Sequence, residues 1–199
     1  MEYLITGIKK VSDKKSVVYI NYNNTLPLYN SEIRRYQLVE GEVISSLVYE
    51  EIINDIIIKR AKRRALYILK NLDKSEQQLR QKLKEGYYSV AVIDIVIDYV
   101  KGYKYIDDDR VAENFIRCKQ NCKSKKELQY LLKQKGIDIK KLDSAIYDTV
   151  DETETIKQLL RKRNFNAKTA TEEELRKTYM YLERKGFQHC TISTVLNLT

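Results

Sequence analysis

Tryptophan is absent from this 199-residue chain, and proline and histidine occur once each. One proline and six glycines leave little to interrupt helices. Three cysteines, Cys118, Cys122 and Cys190, are too few for a disulfide framework, and the one histidine, His189, does not complete a zinc site with them at this spacing. The expectation is buried free thiols in a reducing compartment. Long hydrophobic runs are also missing. The two longest, near 52–58 and 90–100, are broken by Asn54, Asp55, Asp94 and Asp98, well short of the ~20 apolar residues that span a bilayer. Met1-Glu2-Tyr3 opens no signal-peptide pattern. A soluble, cytoplasmic, monomeric protein without membrane association is expected. No Gly-Lys-Ser/Thr loop, Gly-x-Gly-x-x-Gly fingerprint or nucleophile elbow occurs, and His189 and Cys190, as chain neighbours, point apart. No enzyme, metal site or cofactor is expected.

What the chain has is charge and tyrosine. Apolar residues make up 43% and charged residues 33%, a balance that supports a folded core, and Tyr occurs 16 times. The net charge of +9 is concentrated. Residues 59–86 sum to +7 and 101–141 to +6, whereas 1–58 and 87–100 are each −2 and 142–199 is neutral. Basic blocks of this kind suit phosphate backbones or an acidic protein surface, or form a solvated helix face.

The first 45 residues read as a small β-containing unit. Leu4, Ile5 and Ile8, then Val17, Val18, Tyr19, Ile20 and Tyr22, form two strands around a Ser12–Lys15 turn, with a third strand at Leu26–Tyr29. Ser31 is expected to cap a short helix that carries Ile33 and Leu38 and ends near Gly41.

From about residue 46 the punctuation repeats three times. Ser75, Ser124 and Thr171 each begin a capping box with Gln78, Glu127 and Glu174, and each box is followed by a leucine, Leu79, Leu128 or Leu175. The helices close at Gly86-Tyr87, Gly136-Ile137 and Gly186-Phe187, where glycine permits a left-handed turn. A further helix follows each glycine: Ile93, Val96, Ile97 and Val100; Leu142, Ala145, Ile146 and Val150; Ile192, Val195 and Leu196. An amphipathic helix precedes each box, carrying Ala61, Ala65, Leu66 and Leu69; Val111, Phe115, Cys118 and Cys122; Ile156, Leu159 and Leu160. The fold expected is mainly α: three tandem three-helix repeats at 46–103, 104–150 and 151–199, stacked into an elongated, curved body behind the N-terminal unit at 1–45.

Asp107-Asp108-Asp109 reads as dipole-matched capping of the next helix, ahead of a metal cluster. The basic residues are the candidate site. Arg63, Arg64, Lys70, Lys74, Arg80, Lys82 and Lys84 lie in the first repeat. Arg110, Arg117, Lys119, Lys123, Lys125 and Lys126 lie in the second, and Arg184 and Lys185 in the third. Aligned by stacking, they would form a strip that tracks phosphates or a filament groove without reading sequence.

Ordered motifs over 60–199 carry a resemblance. Ala65-Leu66 to Leu69 and Ser75-Glu76-Gln77-Gln78-Leu79 to Lys82-Leu83 resemble the "AL-x-x-L" and "SE-x-EL-x-x-KL" segments of the bacterial RecX family. Tyr105-Ile106-Asp107-Asp108 before Val111-Ala112 is similar to its "GYIDD…FA" stretch, Leu132 to Ile137 to its "L-x-x-KGI", and Lys185-Gly186-Phe187 to its "RGF". The N-terminal unit is similar to the extension of low-GC Gram-positive members. Two positions depart: Asn71-Leu72-Asp73-Lys74 replaces a basic pair, and Lys104 replaces a glycine whose backbone role is expected to pass to Gly102. The resemblance implies a modulator of the RecA recombinase that lies in the groove of the RecA–DNA filament and restrains ATP turnover and strand exchange. Its partners would be the RecA nucleoprotein filament and, weakly and electrostatically, DNA. The alternative is a helical-repeat protein that binds single- or double-stranded nucleic acid directly.

Overall fold

The structure is a computed structural model that describes residues 2–71, 73–138 and 150–197. The chain divides into two compact units, Met1–Asp107 and Asp108–Thr199.

The first unit opens with strands β1 (Tyr3–Lys10), β2 (Lys15–Ile20) and β3 (Asn24–Tyr29). A two-residue strand, β4 (Val43–Ile44), which the sequence pattern does not reveal, pairs with β1 and gives the sheet order β3-β2-β1-β4. All pairings are antiparallel, with Ile8 opposite Val18 and Val18 opposite Leu26. Pro27, which cannot donate to a ladder, sits on the edge strand β3. Helix α1 (Asn30–Arg35) starts two residues earlier than a cap at Ser31 would place it, with Tyr29 at the cap position. Its first free donor is met by Glu32, whose carboxylate accepts from the Tyr29 N–H at 2.7 Å, so Ser31 lies inside the helix. Leu38 is buried beyond the helix end.

Ser45 caps α2 (Ser46–Glu51), which runs without interruption through a π-helical turn (Ile52–Ile58) into α3 (Lys59–Asn71). The π form has i→i+5 bonds, and Ile52 and Ile57, five apart, are the two residues it buries completely. Helices α4 (Glu76–Lys84) and α5 (Val90–Gly102) complete the repeat. One core joins the sheet to these helices: Ile5, Val18, Ile20, Leu26 and Leu28 pack with Ile52, Ile57, Leu79, Leu83, Ile93, Val96 and Ile97. Each such aliphatic side chain, fully buried, contributes about 1.5–3 kcal/mol.

The second unit holds α6 (Asp108–Lys119), α7 (Lys125–Gln134), α8 (Glu152–Lys162), α9 (Glu172–Arg184) and α10 (His189–Leu196). Its repeats have separate cores, one around Ile116, Leu128, Leu132 and Val150, the other around Ile156, Leu160, Leu182 and Ile192. The expected helix bearing Leu142, Ala145 and Ile146 lies outside the described residues.

All three caps form, with hydroxyls of Ser75, Ser124 and Thr171 accepting from the N–H of Gln78, Glu127 and Glu174. The boxes at Ser75 and Thr171 are reciprocal, whereas the Glu127 carboxylate pairs with Lys123. Leu79 and Leu128 are buried as expected. Leu175 is only half-buried, because α9 is longer and passes its core positions on to Thr178 and Leu182.

The turns hold two corrections. Gly136 and Gly186 are left-handed (φ 78 and 85), but in the first repeat that conformation falls on Tyr87 (φ 65), one residue after Gly86. The matching core residue is therefore Tyr88, whose N–H reaches back to the Leu83 carbonyl as Ile137 does to Leu132 and Phe187 to Leu182. Gly86 is needed for space: a Cβ there would stand 3.0 Å from the Tyr88 ring and 3.1 Å from the Leu83 carbonyl oxygen. At the end of α5, Lys104 itself takes the left-handed conformation (φ 56), while Gly102 is an ordinary last helical residue with open space around it. Nor are the thiols buried: Cys118 and Cys190 are exposed and Cys122 is half-buried. The buried stripe of α6 runs through Val111, Ala112 and Ile116, which turns Cys118 outward.

Candidate functional site

In the first unit, the helix termini and the α3 surface present the basic residues. Arg63 and Arg64 are exposed on α3 and line a cleft facing the sheet. Arg80 is committed elsewhere. Its Nε donates to Glu76 at 2.7 Å and its guanidinium to Asp94 of α5 at 2.5 Å, while Lys101 reaches the other Glu76 oxygen at 2.5 Å. Burial opposes ionisation of Glu76, but Lys101 and Arg80 outweigh it and hold its carboxyl below the usual value. Asp94 first, then Glu76, raise Arg80 further still. Lys82 pairs with Glu85 at 2.7 Å, and Lys84 is exposed with no ion pair among the described residues.

In the second unit, folding brings residues far apart in sequence to one joint. The Ser124 hydroxyl, already accepting from Glu127, donates to the Lys185 carbonyl at 2.6 Å. The backbone N–H of Lys125 donates to the buried Glu152 carboxylate at 2.7 Å. Gly186 makes room for this approach, since a Cβ on it would lie 3.1 Å from Ser124 Oγ and 3.3 Å from Lys126 Cβ. Lys123, Lys125, Lys126 and Lys185 thus surround one contact between the second and third repeats. Lys185 and Arg163 both lie over the Tyr181 ring, at 5.4 and 4.0 Å. Arg117 pairs with Glu113 at 2.5 Å, and Arg184 Nε donates to the Met180 carbonyl at 3.3 Å. Lys119 and Lys126 are exposed without an ion pair among the described residues, and Arg110 is exposed.

The candidate residues therefore separate by what already holds them. Arg80, Lys82, Arg117 and Lys123 are engaged by carboxylates, whereas Arg63, Arg64, Lys84, Lys119 and Lys126 are exposed with no ion pair among the described residues. The i,i+4 spacing of Glu113 with Arg117 and of Lys123 with Glu127 signals two of these pairs; the Arg80–Asp94 pair, fourteen residues apart, has no local signal. Sequence reasoning also passes over Lys15 and Tyr87, which fold into the same cleft as Arg63 and Arg64.

The other candidates resolve simply. Asp107 precedes α6, and Asp108 and Asp109 occupy its first turn. Among the described residues no three His, Cys, Asp or Glu side chains gather as a metal site. His189 meets the Tyr179 hydroxyl through Nδ1. No described helix is long and apolar enough to cross a membrane.

Comparison with known proteins agrees with this repeat architecture. Residues 61–99 match the first three-helix domain of RecX and residues 150–196 the third. The regulatory protein RecX of Caldanaerobacter subterraneus subsp. tengcongensis is 30% identical over 98% of this chain and 100% of its own. That of Clostridioides difficile is 27% identical over 98% and 94%. A crystal structure of regulatory protein RecX superimposes with a TM-score of 0.64 at 21% identity, covering 98% of this chain and 99% of the other. RecX from Lactobacillus salivarius gives 0.57 at 20% identity, over 70% and 94%. With the caps, turns and repeat cores in place along almost the whole length, the chain belongs to the RecX family of regulatory proteins.

Proposed function

We propose that this protein modulates the RecA recombinase, binding in the groove of the RecA–DNA filament and restraining ATP turnover and strand exchange, without chemistry of its own. The observation that carries the reading is the full-length match to regulatory RecX proteins together with their three-helix domains. The uncommitted cations on both units support it. Arg63, Arg64 and Lys84 in one, with Lys119 and Lys126 in the other, are exposed, and in this reading they meet phosphates or acidic filament surfaces by charge alone, without reading bases.

The test is RecA's DNA-stimulated ATPase, with the protein added after filaments have formed. A fall in turnover is expected; unchanged turnover at a several-fold excess sinks the proposal. Salt-sensitive binding to bare DNA with no effect on RecA would favour direct nucleic-acid binding instead.

A further inference from the structure

A cleft of about 790 Å³ lies between the N-terminal sheet and the first repeat, inside the first unit. That size falls in the roughly 300–1,000 Å³ range of small-ligand sites. Its wall carries Lys15 from the start of β2, Arg63 and Arg64 from α3, and Tyr29, Tyr87 and Tyr88. Three carboxylates also line it, but each is engaged. Glu32 holds Arg60, Asp55 holds Lys59 at 2.7 Å, and Glu85 holds Lys82 at 2.7 Å. Arg60 is further fixed by the Pro27 carbonyl at 2.9 Å and lies 4.5 Å from the centre of the Tyr29 ring. Lys15, Arg63 and Arg64 remain, three cations lining one hollow with no ion pair among the described residues.

Folding has gathered these charges against their mutual repulsion. Burial first, then Arg60 and Arg64, push the Lys15 ammonium below its ordinary pKa. A concave site that holds like charges together in this way is built to be relieved by an anion. The aromatic groups narrow the choice. Arg60 occupies a face of Tyr29 and Tyr88 is buried, but Tyr87 is 41% exposed and its ring makes no contact with another ring or a cation among the described residues. The turn bearing Tyr87 is pinned to the sheet, because the Thr25 hydroxyl donates to the Tyr87 carbonyl at 2.8 Å. An open ring on a pinned turn, lining the same cleft as two guanidinium forks, matches a planar base joined to a phosphate.

We infer that the cleft between the N-terminal sheet and the first repeat binds a nucleotide unit, its phosphate among Lys15, Arg63 and Arg64 and its unpaired base on Tyr87. A duplex cannot supply that base, so the source is a single strand or a free nucleoside polyphosphate. The inference concerns the protein alone and stands whether or not it acts on RecA.

The experiment measures binding of the full chain to a fluorescein-labelled oligothymidylate by anisotropy across a salt series, with ATP titrated in a second arm. Arg63→Ala with Arg64→Ala removes two exposed charges that hold no ion pair among the described residues, and Tyr87→Asn removes the ring with a residue that tolerates the left-handed backbone. Lys162→Ala with Lys168→Ala, exposed in the second unit, is the charge-matched control. The double arginine variant should weaken strand binding about tenfold or more and flatten the log–log salt slope by about 1.4. Tyr87→Asn should cost about fivefold or more with the slope unchanged. Loss confined to the oligonucleotide arm assigns the cleft to a strand, and loss confined to the ATP arm assigns it to free nucleotide. Full binding in both arms overturns the inference, as does an equal loss in the control. Displacement of the strand by an oligoglutamate peptide as effective as by unlabelled oligothymidylate also overturns it, in favour of an acidic protein surface.

Discussion

Lys104 carries the left-handed backbone (φ 56) that closes α5, a conformation that costs an L-residue about 1–2 kcal/mol. Its N–H and that of Tyr105 bond back to Lys101 and Val100, so the turn is enforced by its hydrogen bonds despite the side chain. Lys104→Gly should therefore stabilise the first unit by up to about 1 kcal/mol, less than the full relief because glycine frees the unfolded chain. Urea unfolding of the two proteins measures this, and a destabilised glycine variant would contradict it. The RecX pattern has glycine at this position, and the backbone shows why, yet nothing in the local sequence distinguishes Lys104 from Gly102 as the residue that must turn. The cap residues were legible because a hydroxyl and a carboxamide or carboxylate three residues apart satisfy each other locally. The engagement of Arg80 by Asp94 was not, since it depends on how α4 lies against α5.

At the scale of elements, α4 and α5 are joined by a polar clamp on their solvent side, with Glu76 accepting from Arg80 and Lys101 while Arg80 also holds Asp94. The Glu76 carboxyl titrates below its ordinary value of 4.5 in the folded protein. A depressed carboxylate stabilises the fold above its unfolded pKa, and that stability is lost as pH falls through the folded one. Unfolding midpoints should accordingly drop from pH 7 to about pH 3, and Glu76→Gln should show a smaller drop than the parent. Equal drops would mean that the clamp adds nothing. Among the described residues, the apolar pattern revealed the repeat helices and most of their buried positions, because three- and four-residue spacing encodes a face. It did not reveal β4, whose two residues gain meaning only by pairing with β1, nor the π turn, where isoleucines five apart fit no α-helical face.

For the molecule as a whole, positive charge is shared between the units, with +4 over 1–107 and +5 over 108–199. Binding to a filament should therefore draw on both. Arg117→Glu with Lys126→Glu is expected to weaken the affinity for preformed RecA–DNA filaments about tenfold at physiological salt while helical circular dichroism stays unchanged. Most of that effect belongs to Lys126, because Arg117 already shares its charge with Glu113. An unaltered affinity would mark these residues as a solvated face. The contact between Ser124 and Lys185 reaches beyond binding. The hydroxyl that caps α7 finds its acceptor 61 residues further on. During synthesis, α7 is made before that carbonyl exists, so the hydroxyl of its cap gains this acceptor only when the third repeat has folded against the second.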